Sequence, residues 1–296
     1  MTPGASCPTN PEAKMTRYLV YDVFTDAPFG GNQLAVIPDA TALPEADLQR
    51  LAAEFNFSEV TFVYPPANPA HTARVRIFTP TTEIPFAGHP TIGTAVALAE
   101  MGHGPDMVLE LGVGPIRARA EKGAAQFTTD AALERLVHPD PALVARALGL
   151  DAGQIRTDTH PPIMASLGLP FTLTEVTDRT ALAAIQTDIA AFRDGTARYP
   201  GALDFAQLAY VRADDRVAAR MFAPLDNIPE DPATGSAAAT LAALLAQTLG
   251  RDLVLEYAQG CEMGRPSRIT LHTDGPRVTV SGRAVPVMEG RLIYRG

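Results

Sequence analysis

Along the first half of the chain the apolar positions come in short, β-rich bursts with few long helical stripes. Residues 17–25, 34–37, 59–64 and 74–79 are bounded by Gly, Pro and Asp, and each predicts a strand. Between the second and third, Pro44 opens a stretch in which Leu48, Leu51, Ala52 and Phe55 recur at helical spacing. A second helix is predicted over 91–101, stopped by Gly102, and strands follow over 108–113, 116–120 and 126–128. In the second half, an Ala/Leu-rich helix over 238–249 precedes strands over 253–257, 268–273, 278–281 and 291–294. This is not the strict alternation of a doubly wound sheet.

The chain also repeats itself. Residues 78–95 read FTPTTEIPFAGHPTIGTA, and residues 222–237 read FAPLDNIPEDPATGSA. Phe78, Pro80, Ile84 and Pro85 match Phe222, Pro224, Ile228 and Pro229. After an offset, Pro90, Gly93, Thr94 and Ala95 match Pro232, Gly235, Ser236 and Ala237. Each copy leads into an Ala/Leu-rich helix, and the copies lie about half a chain apart. Two lobes of similar build are therefore expected, residues 15–135 and 136–296, behind a flexible tail of residues 1–14. The final strand is free to return to the first lobe. Each lobe wraps strands around one buried helix, an α+β arrangement.

The repeated P-x-x-G-[TS]-A segment reads as the point where strand gives way to helix. Gly93 and Gly235 would let a ligand approach the backbone, and Thr94 and Ser236 would cap or donate in the first turn. Unpaired N–H groups and the helix dipole attract an anion there. Two such starts facing one another predict a site for a small carboxylate. His89 in the first copy and Asp231 in the second occupy equivalent places in this reading. A lone His, or an Asp before Pro, is more often structural, and their shared place raises both. In a desolvated cleft the two could exchange protons with a ligand near neutral pH.

Composition narrows the partners. The net charge is −9 with no block of like charge, and Trp is absent, so nucleic acid is not an expected partner. No apolar run approaches the roughly 20 residues of a membrane span, so no membrane is expected either. Residues 1–14 lack the apolar stretch of a signal peptide, and Cys7 and Cys261 are the only cysteines, which points to a reducing cytoplasmic setting. There is no GxGxxG after a strand, no Walker loop and no HExxH, and the six histidines show no metal-ligand spacing.

Several segments together resemble the PhzF family of phenazine-biosynthesis isomerases. They are Asp22-Val23-Phe24-Thr25, Phe29-Gly30-Gly31-Asn32-Gln33-Leu34-Ala35-Val36 and Phe57-Ser58-Glu59. Pro85-Phe86-Ala87-Gly88-His89-Pro90-Thr91, Asp231-Pro232-Ala233-Thr234-Gly235-Ser236 and Glu262-Met263-Gly264-Arg265-Pro266-Ser267 complete the set. The resemblance runs from about residue 17 to the C-terminus. It implies a diaminopimelate-epimerase-like fold: two pseudo-symmetric lobes, each a curved, mostly antiparallel sheet around a central helix, with the site between them. An isomerase without cofactor or metal is implied, often a homodimer. In the family's trans-2,3-dihydro-3-hydroxyanthranilate isomerases, Glu at position 59 moves a proton within the cyclic substrate. By the same resemblance His89 and Asp231 assist, and Gly88, Gly235 and Ser236 contact the ligand.

Glu59 suits that role chemically. Phe57, Val60 and Phe62 flank it in sequence, and burial would raise its carboxyl's pKa, although the residues alone read equally as an exposed carboxylate at a strand start. A Glu tuned to about 6–7 both takes and returns a proton near neutrality. Racemases of this fold carry one Cys at each helix start. Those places are read here as His89 and Asp231, so two-thiol racemisation is not expected. Two other readings stay open: an isomerase or epimerase of another small metabolite, such as an amino-acid derivative, and a non-catalytic protein that binds a small anion.

Overall fold

A computed structural model describes residues 15–201 and 203–293. The tail expected over 1–14, Cys7 within it and the last residue of the strand expected over 291–294 lie outside the described residues. The chain starts with β1 (Arg17–Val23), β2 (Asn32–Ile37), α1 (Glu45–Phe55), β3 (Glu59–Tyr64), β4 (Ala73–Phe78) and β5 (Glu83–Ile84). Then come α2 (Gly88–Glu100), β6 (Asp106–Leu111), β7 (Gly114–Glu121) and β8 (Ala124–Thr129). β1 and β2 are antiparallel, β2 and β3 parallel, β3 and β4 antiparallel, and β4 and β6 parallel, with β6, β7 and β8 closing as a meander.

The second half repeats that sequence of pairings. After β9 (Glu134–Val137) and α3 (Pro141–Leu148) come β10 (Ile163–Ser166), β11 (Pro170–Glu175), α4 (Arg179–Ala184) and α5 (Ile189–Arg198). β12 (Gln207–Ala213), β13 (Arg216–Ala223), β14 (Ile228–Asp231), α6 (Gly235–Leu249), β15 (Val254–Gln259), β16 (Ser267–Asp274) and β17 (Arg277–Arg291) finish it. β10 and β11 are antiparallel, β11 and β12 parallel, β12 and β13 antiparallel, β13 and β15 parallel, and β15, β16 and β17 antiparallel. The fold is thus α+β with a pseudo-symmetric, mostly antiparallel sheet.

The halves trade strand ends. β8 pairs with the first part of β17, Phe127 opposite Val280, and joins the two sheets. β9 leaves the first half to pair with β10, while the last part of β17 pairs with β1, Arg17 opposite Arg291. The division at 135/136 falls inside β9. β17 is one 15-residue strand where two separate strands are expected. Gly282 and Pro286 lie between those two stretches, and the structure absorbs both. Gly282 yields its side-chain space to the Phe24 ring, since a Cβ there would stand 2.2 Å from Cδ1. Pro286 sits beside a register shift opposite Tyr21, where a missing N–H is tolerated.

α2 and α6 are apolar nearly all round because each is encased by its own sheet, and their many alanines let the strands approach closely. One contiguous core runs around both helices and through both halves, from Val23 and Ile92 to Leu241 and Val280. α1 seals a second patch over Ile37 and Phe62. α3, α4 and α5 seal a third over Phe192, Phe205 and Phe222. At 8, 6 and 10 residues these three helices are too short for a period to stand out in the sequence. No helix among the described residues is long and apolar enough to cross a membrane.

Candidate active site

The starts of the two central helices touch. A Cβ on Gly88 would stand 3.1 Å from Gly235 Cα and 3.2 Å from Ser236 N, so the approach depends on glycine. The residues before them, Ala87 and Thr234, make no side-chain cap. Two sets of first-turn N–H groups and two positive dipole ends therefore converge on one place, which suits a carboxylate.

This geometry corrects the register of the repeat. Gly88 is the counterpart of Gly235 and His89 that of Ser236, because α2 begins at Gly88 and α6 at Gly235, each three residues before its expected start. Pro90 lies inside its first turn, where a missing N–H costs nothing, and is not a boundary. Gly93 sits one turn further in, where a Cβ would stand 2.5 Å from Leu34 Cδ2 and 2.7 Å from Val23 Cγ2, so it serves helix packing. Thr94 is fully buried and donates to Thr61 Oγ1 at 3.0 Å, which removes it from any ligand-binding role. The positions preceding the helix starts are Ala87 and Thr234, and His89 and Asp231 are not equivalents.

The three side chains nonetheless meet. His89 Nδ1 stands 3.3 Å from Glu59 Oε2. His89 Nε2 lies 3.3 Å from the Gln33 carbonyl, which can only accept, so Nε2 carries the proton and Nδ1 turns its lone pair to Glu59. Glu59 Oε2 is buried and has no aligned hydrogen-bond partner. Asp231, at the end of β14, is well supplied. Its Oδ1 accepts from Asn32 Nδ2 at 2.9 Å and Ser58 Oγ at 3.3 Å, and its Oδ2 accepts from the Thr234 hydroxyl. Gln259 Nε2 donates to the Asp231 carbonyl at 2.7 Å and to Thr234 Oγ1 at 3.0 Å.

Burial sets the charges. It pushes the Glu59 pKa well above its usual value, and the nearby Asp231 charge adds to this. Burial also raises Asp231, but hydrogen bonds from Thr234, Asn32 and Ser58 hold it to about 6. Burial lowers His89 to about 3, so the ring is neutral. Donors favour the ionised form of Asp231 and none serves Glu59 Oε2, so Asp231 ionises first and Glu59 keeps its proton. Both shifts point the same way: of the two carboxyls, Glu59 is the one that holds a proton more tightly.

Asn32, Ser58, Thr234 and Gln259 complete the site although the sequence reading gave them no role. The first three stand inside the motifs quoted above, whereas Gln259 carried no signal. Ser236 also borders a cavity of about 380 Å³ whose lining mixes Phe86, Phe127 and Leu169 with the acidic Asp130 and Glu134.

Comparisons with known proteins agree with this architecture. A family model described as phenazine biosynthesis-like protein, PhzC-PhzF, matches residues 21–290. An uncharacterized isomerase of Mesorhizobium japonicum is 39% identical, over 93% of this chain and 98% of its own length. The trans-2,3-dihydro-3-hydroxyanthranilate isomerase of Pseudomonas fluorescens is 35% identical, over 94% of this chain and 100% of its own. A PhzF-family phenazine biosynthesis protein from Bacillus anthracis superposes with a TM-score of 0.82 at 22% identity, over 95% of this chain and 100% of its own. That last likeness speaks for the fold.

Proposed function

Since the chain belongs to the PhzC-PhzF family of phenazine biosynthesis-like proteins and is an isomerase, we propose that it moves a proton within trans-2,3-dihydro-3-hydroxyanthranilate or a similar small cyclic carboxylate. The substrate's carboxylate would lie at the paired helix starts of Gly88 and Gly235, within reach of Ser236, with its ring toward Glu59. Glu59 begins neutral. Its O–H bond breaks as a C–H bond forms on an electron-rich ring carbon. The carboxylate so made takes the proton from a second carbon on the same face, and the O–H bond is restored. No proton is gained or lost overall, so one carboxyl suffices as acid and then base. Asp231 stays ionised and keeps Glu59's proton affinity high. His89 sets a neutral ring 3.3 Å from Glu59 Oε2 and bounds that side of the carboxyl.

The observation that carries this reading is the buried Glu59 Oε2 without a hydrogen-bond partner, 3.3 Å from His89 Nδ1. A buried polar atom left open costs stability, and such atoms concentrate where a ligand completes them. The test is turnover of trans-2,3-dihydro-3-hydroxyanthranilate by wild type and by Glu59→Gln. The expected loss in kcat is on the order of 10²–10⁴-fold. Equal turnover by both proteins removes Glu59 from the chemistry. Inert wild type would instead move the substrate to another small carboxylate, such as an amino-acid derivative.

A further inference from the structure

Two of the motifs, around Asp22–Asn32 in sequence and around Arg265, take no direct part in that proton transfer, yet the structure ties them together. The loop between β1 and β2 is bent through left-handed residues: Phe24 at φ 67°, Phe29 at φ 69° and Gly31 at φ 57°. At Gly31 a Cβ would stand 2.1 Å from the Val23 carbonyl oxygen, so the bend admits only glycine. A backbone of this kind persists where its surroundings hold it.

The hold comes from the second half of the chain. Arg265 Nη2 donates to Asp22 Oδ1 at 2.6 Å and to the Gly30 carbonyl at 2.8 Å, and its Nε donates to the Gly31 carbonyl at 2.8 Å. Gly31 N donates to the Pro266 carbonyl at 3.0 Å, and Arg268 N to the Phe24 carbonyl at 2.7 Å. The other Asp22 oxygen accepts from Phe29 N at 2.6 Å. The residue that follows this clamp is Asn32, which reaches Asp231 Oδ1 at 2.9 Å and the Ala233 carbonyl at 3.1 Å.

We propose that Arg265 is a positioning residue for the proton transfer: by clamping the β1–β2 loop to the second half of the chain it fixes where Asn32 meets Asp231. The assignment rests on the reaction proposed above. Facing Asp231 are Glu59 from β3, Tyr257 from β15 and Glu230 from its own strand, the last paired with Arg220 at 2.8 Å. Donors come from Asn32, Ser58 and Thr234. Of these, Asn32 directly follows the clamped loop as the first residue of β2, and Ser58 Oγ leans on its Oδ1 at 3.2 Å. Arg265 thus reaches the carboxyl pair through Asn32 and the Ser58 hydroxyl that leans on it, and its loss weakens donation to the ionised form of Asp231.

The experiment compares wild type, Arg265→Met, Arg265→Lys, Asn32→Ala and the Arg265→Met/Asn32→Ala pair, each by ¹³C NMR titration of the Asp231 carboxyl without substrate and by kcat/KM against pH. Arg265→Met is expected to raise the Asp231 midpoint by about one pH unit, the size of one lost hydrogen bond to a charged group. The acid limb of the rate profile moves with it. Asn32→Ala gives a similar shift, and the double variant moves no further. Arg265→Lys restores part of the wild-type value, and if the Met variant does not fold, a partial shift in the Lys variant is the expected result. An unchanged midpoint in the folded variant, or shifts that add in full, overturns the assignment. The titration uses no substrate, so it fails only if Arg265 has been misread. Inert wild type with the expected titration shifts counts against the reaction alone.

Discussion

Asp231 and Glu59 are two carboxyls in one buried site, and their hydrogen-bond partners give them different work. Asp231 has donors on both oxygens, which favours charge, and Glu59 has an open oxygen, which favours the proton. The same arrangement costs stability. The folded-state pKa of Asp231 is raised to about 6, so the folded protein binds more protons than the unfolded chain between about pH 4 and 6. Its contribution is fully present below that window and is lost as pH rises through it. Asp231→Asn is therefore expected to leave stability nearly unchanged at pH 4 and to raise it by up to about 3 kcal/mol at pH 8, while activity falls. Denaturant unfolding at the two pH values measures this, and an Asn variant that loses stability at pH 8 contradicts it. Glu59, His89 and Asp231 were legible in the sequence because each stands inside a recognisable motif. The donors that divide the proton between the carboxyls were not, since Asn, Ser and Thr are ordinary turn residues until a fold brings them to a carboxylate.

At the scale of elements the site depends on two helix starts that meet at glycine. Gly88→Ala places a Cβ 3.1 Å from Gly235 Cα, which pushes the starts apart and weakens their joint hold on an anion. KM should rise roughly 10-fold, with the fold retained by circular dichroism, since an anion at a helix start is worth up to about 2 kcal/mol. An unchanged KM would show that the carboxylate is held elsewhere. The sequence pattern found both helices and placed each start three residues late, the first because Pro90 looks like a boundary and is a first-turn residue. That slip carried Gly93 and Thr94 into the expected site, although Gly93 packs against Leu34 and Thr94 against Thr61. β17 misled in the same way, since Gly282 and Pro286 are breakers only without the Phe24 ring and the register shift that accommodate them.

Across the whole molecule, duplication brings distant segments to one point. Asn32, Glu59, His89, Asp231 and Gln259 come from both halves, and the β8–β17 pairing locks those halves into one sheet. The repeat made the two-fold build legible. The exchange of β9 and the end of β17 was hidden, because strand pairing between remote segments leaves no local pattern. What the assembled site does can be read most directly from hydrogen isotopes. Wild-type protein equilibrated in deuterium oxide carries deuterium on the Glu59 carboxyl, and one turnover of trans-2,3-dihydro-3-hydroxyanthranilate should place one deuterium on the newly protonated ring carbon, seen by NMR of the product. A first-turnover product with only the substrate's own hydrogen at that carbon contradicts a neutral Glu59 that gives up its proton first.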